Sequence, residues 1–195
     1  YEIIVVDNSC KPLKLNNLKQ IINYENVGHG EGLNQGAKEA TFDFVLFLDV
    51  DCHALSYGWE KPFFELAKEY DVIGGKGSPQ KPIRPSCMFL KKEIAQKYDW
   101  RATPGYQGVR ITPEGHDVAI QGFYQMQRDN VSMKLLEPQK SQYNTINGEE
   151  WVVDGKRTFY HHWSGTWLQE RQIDFAQNLI EDKEKLFSLI PWRLI

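Results

Sequence analysis

Short apolar segments alternate with amphipathic segments over the first 75 residues of this chain. The apolar segments are rich in β-branched and aromatic side chains and end at polar residues or glycines, which predicts strands. The segments between them repeat apolar residues at the spacing of a helix face. Because strands that alternate with helices are typical of βαβ units, the pattern predicts an α/β fold with a mixed, mainly parallel central sheet flanked by helices. The predicted strands cover residues 3–6, 20–24, 44–48 and 71–75, and the predicted helices cover residues 33–40 and 59–70.

The pattern changes after residue 75. A segment with three prolines among basic and polar residues, 76–86, predicts a loop, and so does the glycine- and proline-containing segment 101–115. Residues 160–167 are rich in aromatic side chains and predict an irregular segment. We find no internal repeat and no domain boundary, which predicts one domain. The remaining predicted strands cover residues 87–90 and 133–137, and the remaining predicted helices cover residues 116–128 and 169–189.

Two carboxylates follow the most apolar of the predicted strands, since Asp49 and Asp51 come directly after the apolar residues 44–48. Ionised carboxylates are costly to bury, so this strand is expected to end at a sheet edge or in a cleft. Ligands of open α/β sheets bind outside the carboxyl ends of the strands. Carboxylates are hard oxygen ligands suited to Mg²⁺ or Mn²⁺. The chain has eleven Asp residues, however, so the pair alone is equally well explained by a solvated turn in which Asp51 caps a helix.

A second polar strand end and a glycine-rich segment lie upstream of this pair. Asp7 and Asn8 follow the strand at residues 3–6, where Asp7 either contacts a base or ribose or forms an Asx-turn. Glycines recur through residues 26–36, ahead of a predicted helix, where they let the backbone approach a diphosphate. The spacing is neither the dinucleotide-binding fingerprint nor a P-loop, and an ordinary glycine-rich turn is the alternative.

These three motifs, in this order, resemble a known family. A strand ending in Asp-Asn-Ser, a segment Asn-x-Gly with Gly-x-Asn-x-Gly entering a helix, and an apolar strand ending in Asp-x-Asp are similar to the GT-A fold glycosyltransferases, and most of all to their inverting, rhamnosyltransferase-like family two. The resemblance covers about the first half of the chain. It implies that Asp7 contacts the nucleotide base, that Asp51 is the direct metal ligand and that Asp49 lies near the donor sugar or ribose. The implied donor- or nucleotide-binding residues are Asp7, Asn8, Asn26, Gly28, Gly32, Asn34 and Asp49.

The resemblance is patchier in the second half. The family's catalytic base is an Asp at the start of a later helix, and Gly115-His116-Asp117 resembles its Gly-Glu-Asp-like motif with a His in place of the Glu. Asp117 is therefore implied as the base that takes the proton of the acceptor hydroxyl. Many members carry a late His that completes the metal shell, and the stretch containing His161 and His162 resembles its motif, with His162 preferred. The implied metal is Mn²⁺ or Mg²⁺, and its implied ligands are Asp49, Asp51, His161 and His162.

The resemblance divides the single domain, residues 1–195, into three parts. Residues 1–75 correspond to the nucleotide-sugar-binding half and residues 76–168 to the acceptor and catalytic half. Residues 169–195 are predicted to form a C-terminal helix and an apolar tail, which we expect to pack on this domain, on an additional domain or on a partner in a homodimer. The family's first strand and helix, which precede the strand at residues 3–6, are not in the sequence, so either they lie upstream in the natural protein or the nucleotide pocket is incomplete.

Composition limits the possible partners and the cellular location of the protein. A net charge of −3 over 195 residues offers no polycationic surface, which argues against a nucleic-acid partner. Three cysteines without a C-x-x-C spacing are typical of a reducing compartment. No apolar run approaches the ~20 residues needed to span a bilayer, which argues against a transmembrane segment. We therefore expect a cytoplasmic protein, or one peripheral to a membrane-bound assembly.

Together these features predict a metal-dependent, inverting glycosyltransferase. It would move a hexosyl or deoxyhexosyl group from a UDP, dTDP or GDP sugar to a glycan or other hydroxyl acceptor, as in polysaccharide biosynthesis. A retaining transferase, a sugar-phosphate nucleotidyltransferase and a catalytically degenerate module that binds glycans or partners are the alternatives. Aromatic residues of the second half fit stacking on sugar rings as well as ordinary packing: Trp100, Tyr106, Trp151, Trp163 and Trp167.

Overall fold

A computed structural model describes most of the chain. The described residues are 1–9, 14–16, 18–78, 81–103, 118–140 and 148–162. Within them the chain forms ten strands and four helices. The strands are β1 (Ile4–Asp7), β2 (Lys19–Ile22), β3 (Phe44–Leu48), β4 (Cys52–Ala54), β5 (Val72–Ser78), β6 (Lys81–Lys91), β7 (Met133–Leu136), β8 (Pro138–Lys140), β9 (Gly148–Val153) and β10 (Lys156–His162). The helices are α1 (His29–Glu39), α2 (Glu60–Leu66), α3 (Lys92–Lys97) and α4 (Ile120–Arg128).

A four-stranded sheet in the order β3-β6-β5-β7 forms the centre of the described structure. β5 and β7 pair in parallel, whereas β6 pairs antiparallel with both β3 and β5. Three of its four strands therefore run in one direction, and β6 runs against them. The predicted mixed, mainly parallel sheet is thus confirmed, and the carboxyl ends of β3, β5 and β7 lie at one edge.

The loop predicted at residues 76–86 is wrong, because β5 and β6 form an antiparallel pair through this segment. Pro82 lies in the part of β6 that pairs with β5 alone, and Pro85 lies in the bulge between Arg84 and Met88, whereas β3 pairs only with the later part of β6. Proline is tolerated on such an edge because it has no N–H to donate to a second neighbour. A shift in register between Gly74 and Gly75 marks a bulge at the point where the pairing changes.

A second sheet, antiparallel and in the order β4-β10-β9-β8, comes mainly from the later part of the chain. The hydrophobic pattern predicted none of these strands, and it assigned residues 160–167 to an irregular segment although β10 includes the first three of them. β9 buries Glu149 and Glu150, which form ion pairs with Arg84 and Arg157, respectively. Charged residues that are neutralised inside the protein remove the apolar alternation by which a strand is recognised.

The central sheet separates two hydrophobic cores. Successive side chains of a strand point to opposite faces, so Met88 and Leu90 of β6 face one core while Cys87 and Phe89 face the other. Side chains of α1, α3 and α4 complete the first core, and side chains of α2 and the second sheet complete the other. This arrangement confirms the predicted α/β class with a sheet flanked by helices.

Two of the aromatic residues considered for sugar stacking belong to these cores. Trp100 and Trp151 are both completely buried, Trp100 in the core beside α1, α3 and α4 and Trp151 in the other. Their rings are therefore unavailable to a sugar, and packing explains them. Tyr106, Trp163 and Trp167 lie outside the described residues.

β1 and β2 form a separate parallel pair, against which α1 packs. α1 begins at His29, earlier than predicted, because the glycine-rich segment itself enters the helix. α4 begins at Ile120 rather than at residue 116, while the helix predicted at residues 169–189 lies outside the described part of the chain. Among the helices that the structure describes, none combines the length and apolar character that a membrane crossing requires.

Candidate metal and donor site

Asp49 and Asp51 lie in a tight turn between β3 and β4. The Asp49 N–H donates to the Ser86 carbonyl at 3.0 Å, and the Asp49 carbonyl accepts from the Cys52 N–H at 2.9 Å. Val50, between the two carboxylates, is 93% exposed, whereas the side chains of Asp49 and Asp51 are only 26% and 14% exposed. The turn therefore directs both carboxylates back toward the protein, unlike the solvated turn that the pair alone would allow.

His161 approaches Asp51 from the second sheet. β10 pairs with β4 so that His161 lies opposite Cys52, which brings its Nε2 to 3.6 Å from Asp51 Oδ1. The imidazole is 15% exposed, so this contact is largely shielded from solvent. The structure thus places His161 beside Asp51, although the sequence motif had favoured His162, whose side chain lies outside the described part of the structure.

The atoms around Asp51 fit a divalent cation. Asp51, Cys52 and His161 each place one potential ligand atom within 4.8 Å of the others. Burial, and then the neighbouring acidic groups that include Asp49 and Asp51, raises the pKa of the Cys52 thiol far above its usual value, so the metal-free protein holds Cys52 as a neutral thiol. A carboxylate oxygen and an imidazole nitrogen remain, with Asp49 in the same turn. This oxygen and nitrogen set is suited to Mn²⁺ and, with further oxygen ligands from a diphosphate, to Mg²⁺.

The ring of His161 is held from three sides. Trp151 stacks on it with the ring centroids 5.7 Å apart and the planes inclined by 19°. Its Nδ1 is buried, makes no hydrogen bond within the described residues and lies 3.8 Å from Glu149 Oε1. Glu149 in turn forms an ion pair with Arg84 of β6. Nδ1 therefore faces a buried charge pair, while Nε2 faces Asp51.

His29 connects the glycine-rich segment to the two carboxylates. It is the first residue of α1, and its Nε2 lies 3.0 Å from Asp49 Oδ1. The N-terminus of α1 therefore lies directly beside the carboxyl end of β3. A helix N-terminus favours anions, because its first N–H groups lack partners within the helix. The two predicted parts of a donor site, the glycine-rich segment and the Asp pair, are thus adjacent.

Four of the predicted donor-binding residues build the turn that leads into α1. The Asn8 side chain donates to the Gly28 carbonyl at 3.1 Å, and the Asn26 side chain accepts from the Gly28 N–H at 2.9 Å. Gly28 has a φ of 88°, in the left-handed region that favours glycine. A Cβ on Gly32 would lie 3.3 Å from Asn8 Nδ2, so the helix approaches the end of β1 closely.

Asp7 and Asn34 are engaged within the protein. Asp7 Oδ1 accepts from the Ser9 N–H at 2.9 Å, which is the Asx-turn considered as the alternative to a nucleotide contact. The Asn34 side chain donates to Asp99 Oδ1 at 2.9 Å and accepts from the Trp100 N–H at 3.1 Å. Asn34 therefore fastens α1 to the segment after α3, and donor binding by these two residues stays a prediction.

The predicted base, Asp117, lies outside the described residues. The description resumes at Val118, and the Ala119 N–H donates to the Trp100 carbonyl at 3.0 Å. Ala119 has a φ of 66° and directly precedes α4. The chain just after Asp117 is thus attached to the same Trp100 backbone that Asn34 binds.

Sequence reasoning missed three residues of this site. His29 carried a detectable signal, because a histidine among glycines just ahead of a helix is an unusual choice where small residues are needed. Glu149 carried none, since adjacent glutamates are also typical of an exposed loop, and Arg84 indicated only a basic segment with Lys76 and Lys81 that contacts donor phosphates or is a solvated charge cluster. Only the pairing of β5, β6, β9 and β10 brings Glu149 and Arg84 beside His161.

Comparisons with known proteins agree with this arrangement in the first part of the chain. Residues 1–84 match the model of the family described as Glycosyl transferase family 2, which supports a glycosyl-transfer role. A solved structure titled "Crystal Structure of A197 from STIV" is 14% identical, with a TM-score of 0.40 over 83% of this chain and 94% of that chain. No curated protein matches the chain.

The family match covers the early elements of the site but not β9, β10, the later part of β6 or the segment after α3. It contains the turn at Asn8 and Gly28, the helix α1 and the Asp49-Val50-Asp51 turn. Together with the observed sheets and flanking helices, it agrees with the predicted α/β fold class. Residues 1–84 are therefore similar to the Glycosyl transferase family 2 domain, and the site is built around its predicted donor-binding end.

Proposed function

We propose that this protein is a metal-dependent, inverting glycosyltransferase that uses a nucleoside-diphosphate sugar. The observation that carries the proposal is the convergence of Asp51, His161 and Asp49 beside the N-terminus of α1. Cation ligands and an anion-binding helix end are the two groups that a diphosphate leaving group needs. The family match over residues 1–84 supports the same role.

Asp51 and His161 are the proposed ligands of Mn²⁺ or Mg²⁺, with Asp49 contributing to the metal shell or to the donor ribose and sugar. When bound, the cation would neutralise the charge that develops on the departing diphosphate. The low exposure of Asp51 and His161 keeps water from weakening the attraction between this site and a phosphate.

The chain itself would hold the rest of the donor. Gly28 leaves open space for a diphosphate at the N-terminus of α1, and Gly32 lets the helix pack closely on the end of β1. Asn8 and Asn26 keep that turn in shape. His29, paired with Asp49, would keep this carboxylate at the edge of the phosphate site. Asp7 would accept from the base of a UDP, dTDP or GDP sugar.

Asp117 is the proposed base, and it would take the proton from a hydroxyl of a glycan acceptor as that oxygen attacks the anomeric carbon. Inversion needs one carboxylate in this role and no covalent glycosyl-enzyme intermediate. We also propose that the protein is cytoplasmic and acts in polysaccharide biosynthesis.

The proposal is tested by the release of nucleoside diphosphate from UDP, dTDP and GDP sugars, with and without Mn²⁺. We expect Asp51→Ala to reduce the Mn²⁺-dependent rate to background. Asp117→Asn should lower kcat by about 10²- to 10⁴-fold, the range for loss of a general base, while calorimetry still detects donor binding. Asp43→Asn, on an exposed carboxylate, is the matched control and should keep the wild-type rate.

Each of the other outcomes would indicate a different activity. Release of pyrophosphate instead of nucleoside diphosphate would show a nucleotidyltransferase, and a product that retains the anomeric configuration would show a retaining transferase. If the protein binds none of the three nucleoside diphosphates in the presence of Mn²⁺, the result would favour a catalytically degenerate module that binds glycans or partners. Normal turnover by Asp117→Asn would refute the base assignment alone.

A further inference from the structure

We propose that Glu149 is a positioning residue that keeps the proton of neutral His161 on Nδ1, so that Nε2 presents its lone pair beside Asp51. The cation that would use this lone pair rests on the proposed function. The state of the imidazole does not, because it is a property of the metal-free protein.

The two nitrogens of His161 have different surroundings. Nδ1 is buried and faces Glu149 Oε1 at 3.8 Å, whereas Nε2 faces Asp51 Oδ1 at 3.6 Å. A neutral imidazole carries its proton on one nitrogen and a lone pair on the other. A buried lone pair that faced the Glu149 carboxylate would be repelled, whereas an N–H in that place is attracted. A lone pair on Nε2, on the side of Asp51, costs less, because a cation or a water molecule can bind to it there.

Glu149 is able to play this part because its own charge is compensated. Its side chain is only 6% exposed, and a buried carboxylate is tolerated when a cation pairs with it. Arg84 supplies that cation from β6. Glu149, paired with Arg84, therefore lies in the interior next to an imidazole that has no other described hydrogen-bond partner at Nδ1.

The ring cannot easily move away from this arrangement. Trp151 stacks on His161, and Trp151 is itself completely buried against Gly75, where a Cβ would lie 2.3 Å from the indole nitrogen. The plane of the imidazole is thus set by packing, and the two carboxylates decide which nitrogen is protonated. Carboxylates that accept from a metal-binding histidine commonly fix its tautomer and raise its affinity for the metal.

The direct test is long-range ¹H–¹⁵N NMR of metal-free protein labelled at histidine, at a pH where the imidazole is neutral. We expect His161 of the wild type to carry its proton on Nδ1. Glu149→Gln and Glu149→Ala should shift His161 toward the tautomer protonated at Nε2. Electron paramagnetic resonance with Mn²⁺ alone should show a dissociation constant that is about 10- to 100-fold higher in these variants.

Glu150→Gln is the matched control. Glu150 is the next residue of β9, is completely buried and pairs with Arg157, yet it lies opposite Tyr160 rather than His161. It should cost stability without changing the His161 tautomer or the affinity for Mn²⁺. Near-ultraviolet circular dichroism checks the fold of each variant, and the isosteric Glu149→Gln carries the test if Glu149→Ala does not fold.

Three results would overturn the inference: a wild-type His161 protonated at Nε2, Glu149 variants that retain the Nδ1 proton, or equal effects of the Glu149 and Glu150 substitutions. Failure of the wild type to bind Mn²⁺ is a separate result. It would remove the proposed cation, while the NMR measurement would still decide the role of Glu149.

Discussion

The carboxylate of Asp71 shows how one side chain joins three strands of the central sheet. Its Oδ1 accepts from Lys91 at the end of β6 at 2.7 Å, and its Oδ2 accepts from the Ser132 hydroxyl, just before β7, at 2.7 Å. Asp71 itself directly precedes β5. The Lys91 ammonium, and then the Ser132 hydroxyl and N–H, lower the pKa of Asp71. The folded protein therefore favours the ionised form.

We expect Asp71→Asn to lower the free energy of unfolding by about 1–3 kcal/mol at pH 7, the range for hydrogen bonds to a charged group. A carboxylate with a lowered pKa contributes its stability above the unfolded pKa of about 3.9, and this contribution is lost as the pH falls through the lower folded value. Urea unfolding at pH 7 and near pH 3 measures the difference between wild type and variant.

That difference should shrink at the acid pH, because the Asp71 carboxyl of the unfolded wild type then binds a proton that the folded carboxylate still resists. Asp43→Asn, at an exposed position, should change stability little at either pH. A difference that grew on acidification would contradict the sign of the pKa shift at Asp71.

At single positions, the sequence predicts the chemical role of a side chain better than it predicts which residues that side chain contacts. Asp49 and Asp51 could be singled out because they follow an apolar strand and come after Asp7 and the glycine-rich segment, in the order of a known family. The choice between His161 and His162 could not be made, because it depends on which of two adjacent residues pairs with β4. The role of Glu149 could not be predicted. Its burial is tolerated because it forms an ion pair with Arg84, and this ion pair joins strands that are distant in the sequence.

Helix α1 contains glycines with opposite structural roles. A Cβ on Gly30 would lie 2.3 Å from the Trp100 carbonyl oxygen, so backbone of another segment occupies that space. A Cβ on Gly36 would meet its nearest neighbour, a methyl carbon of Val6, at 3.5 Å, which is an ordinary contact. One glycine is therefore required for close packing, and the other only weakens the helix.

We expect Gly36→Ala to raise the free energy of unfolding by about 0.5–1 kcal/mol, because alanine favours the helical backbone more than glycine does. Gly30→Ala should instead lower it by about 1–3 kcal/mol, because the helix must move away from Trp100. Urea unfolding of both variants makes the comparison within one helix. Equal effects of the two substitutions would show that α1 does not pack against the Trp100 backbone in solution.

Elements were predictable where burial and apolar sequence coincide. β3 is apolar throughout and was predicted with its observed bounds, Phe44–Leu48. β9 and β10 were missed, because β9 buries two glutamates and β10 carries lysine, arginine and two histidines. In these strands the buried charges are satisfied across the sheet, a long-range property that no local pattern contains.

At the scale of the molecule, the candidate site exists only where the two sheets meet. β3 of the central sheet leads into the Asp49-Val50-Asp51 turn, and β10 of the second sheet supplies His161. The family match over residues 1–84 includes the first contribution and not the second. The proposed set of metal ligands therefore depends on the whole described fold rather than on its first half.

We expect Mn²⁺ to stabilise the folded protein, because its proposed ligands are close together only in the folded state. At a free Mn²⁺ concentration about 100-fold above the dissociation constant, we expect about 2.7 kcal/mol of added unfolding free energy. Thermal unfolding followed by circular dichroism, with Mn²⁺ or with chelator, measures the effect. Asp51→Ala should abolish the shift, and a shift of wild-type size in that variant would place the cation elsewhere.

The contact between Asp51 and His161 also has a topological meaning. These residues lie more than half the chain length apart, yet their side chains meet at 3.6 Å. A cation shared by them would act on the chain as a reversible cross-link that closes a very long loop. Closing long loops costs conformational entropy, so the donor site is expected to form among the last parts of the molecule to fold. Binding of Mn²⁺ would then require the fully folded protein, and early folding intermediates would not bind it.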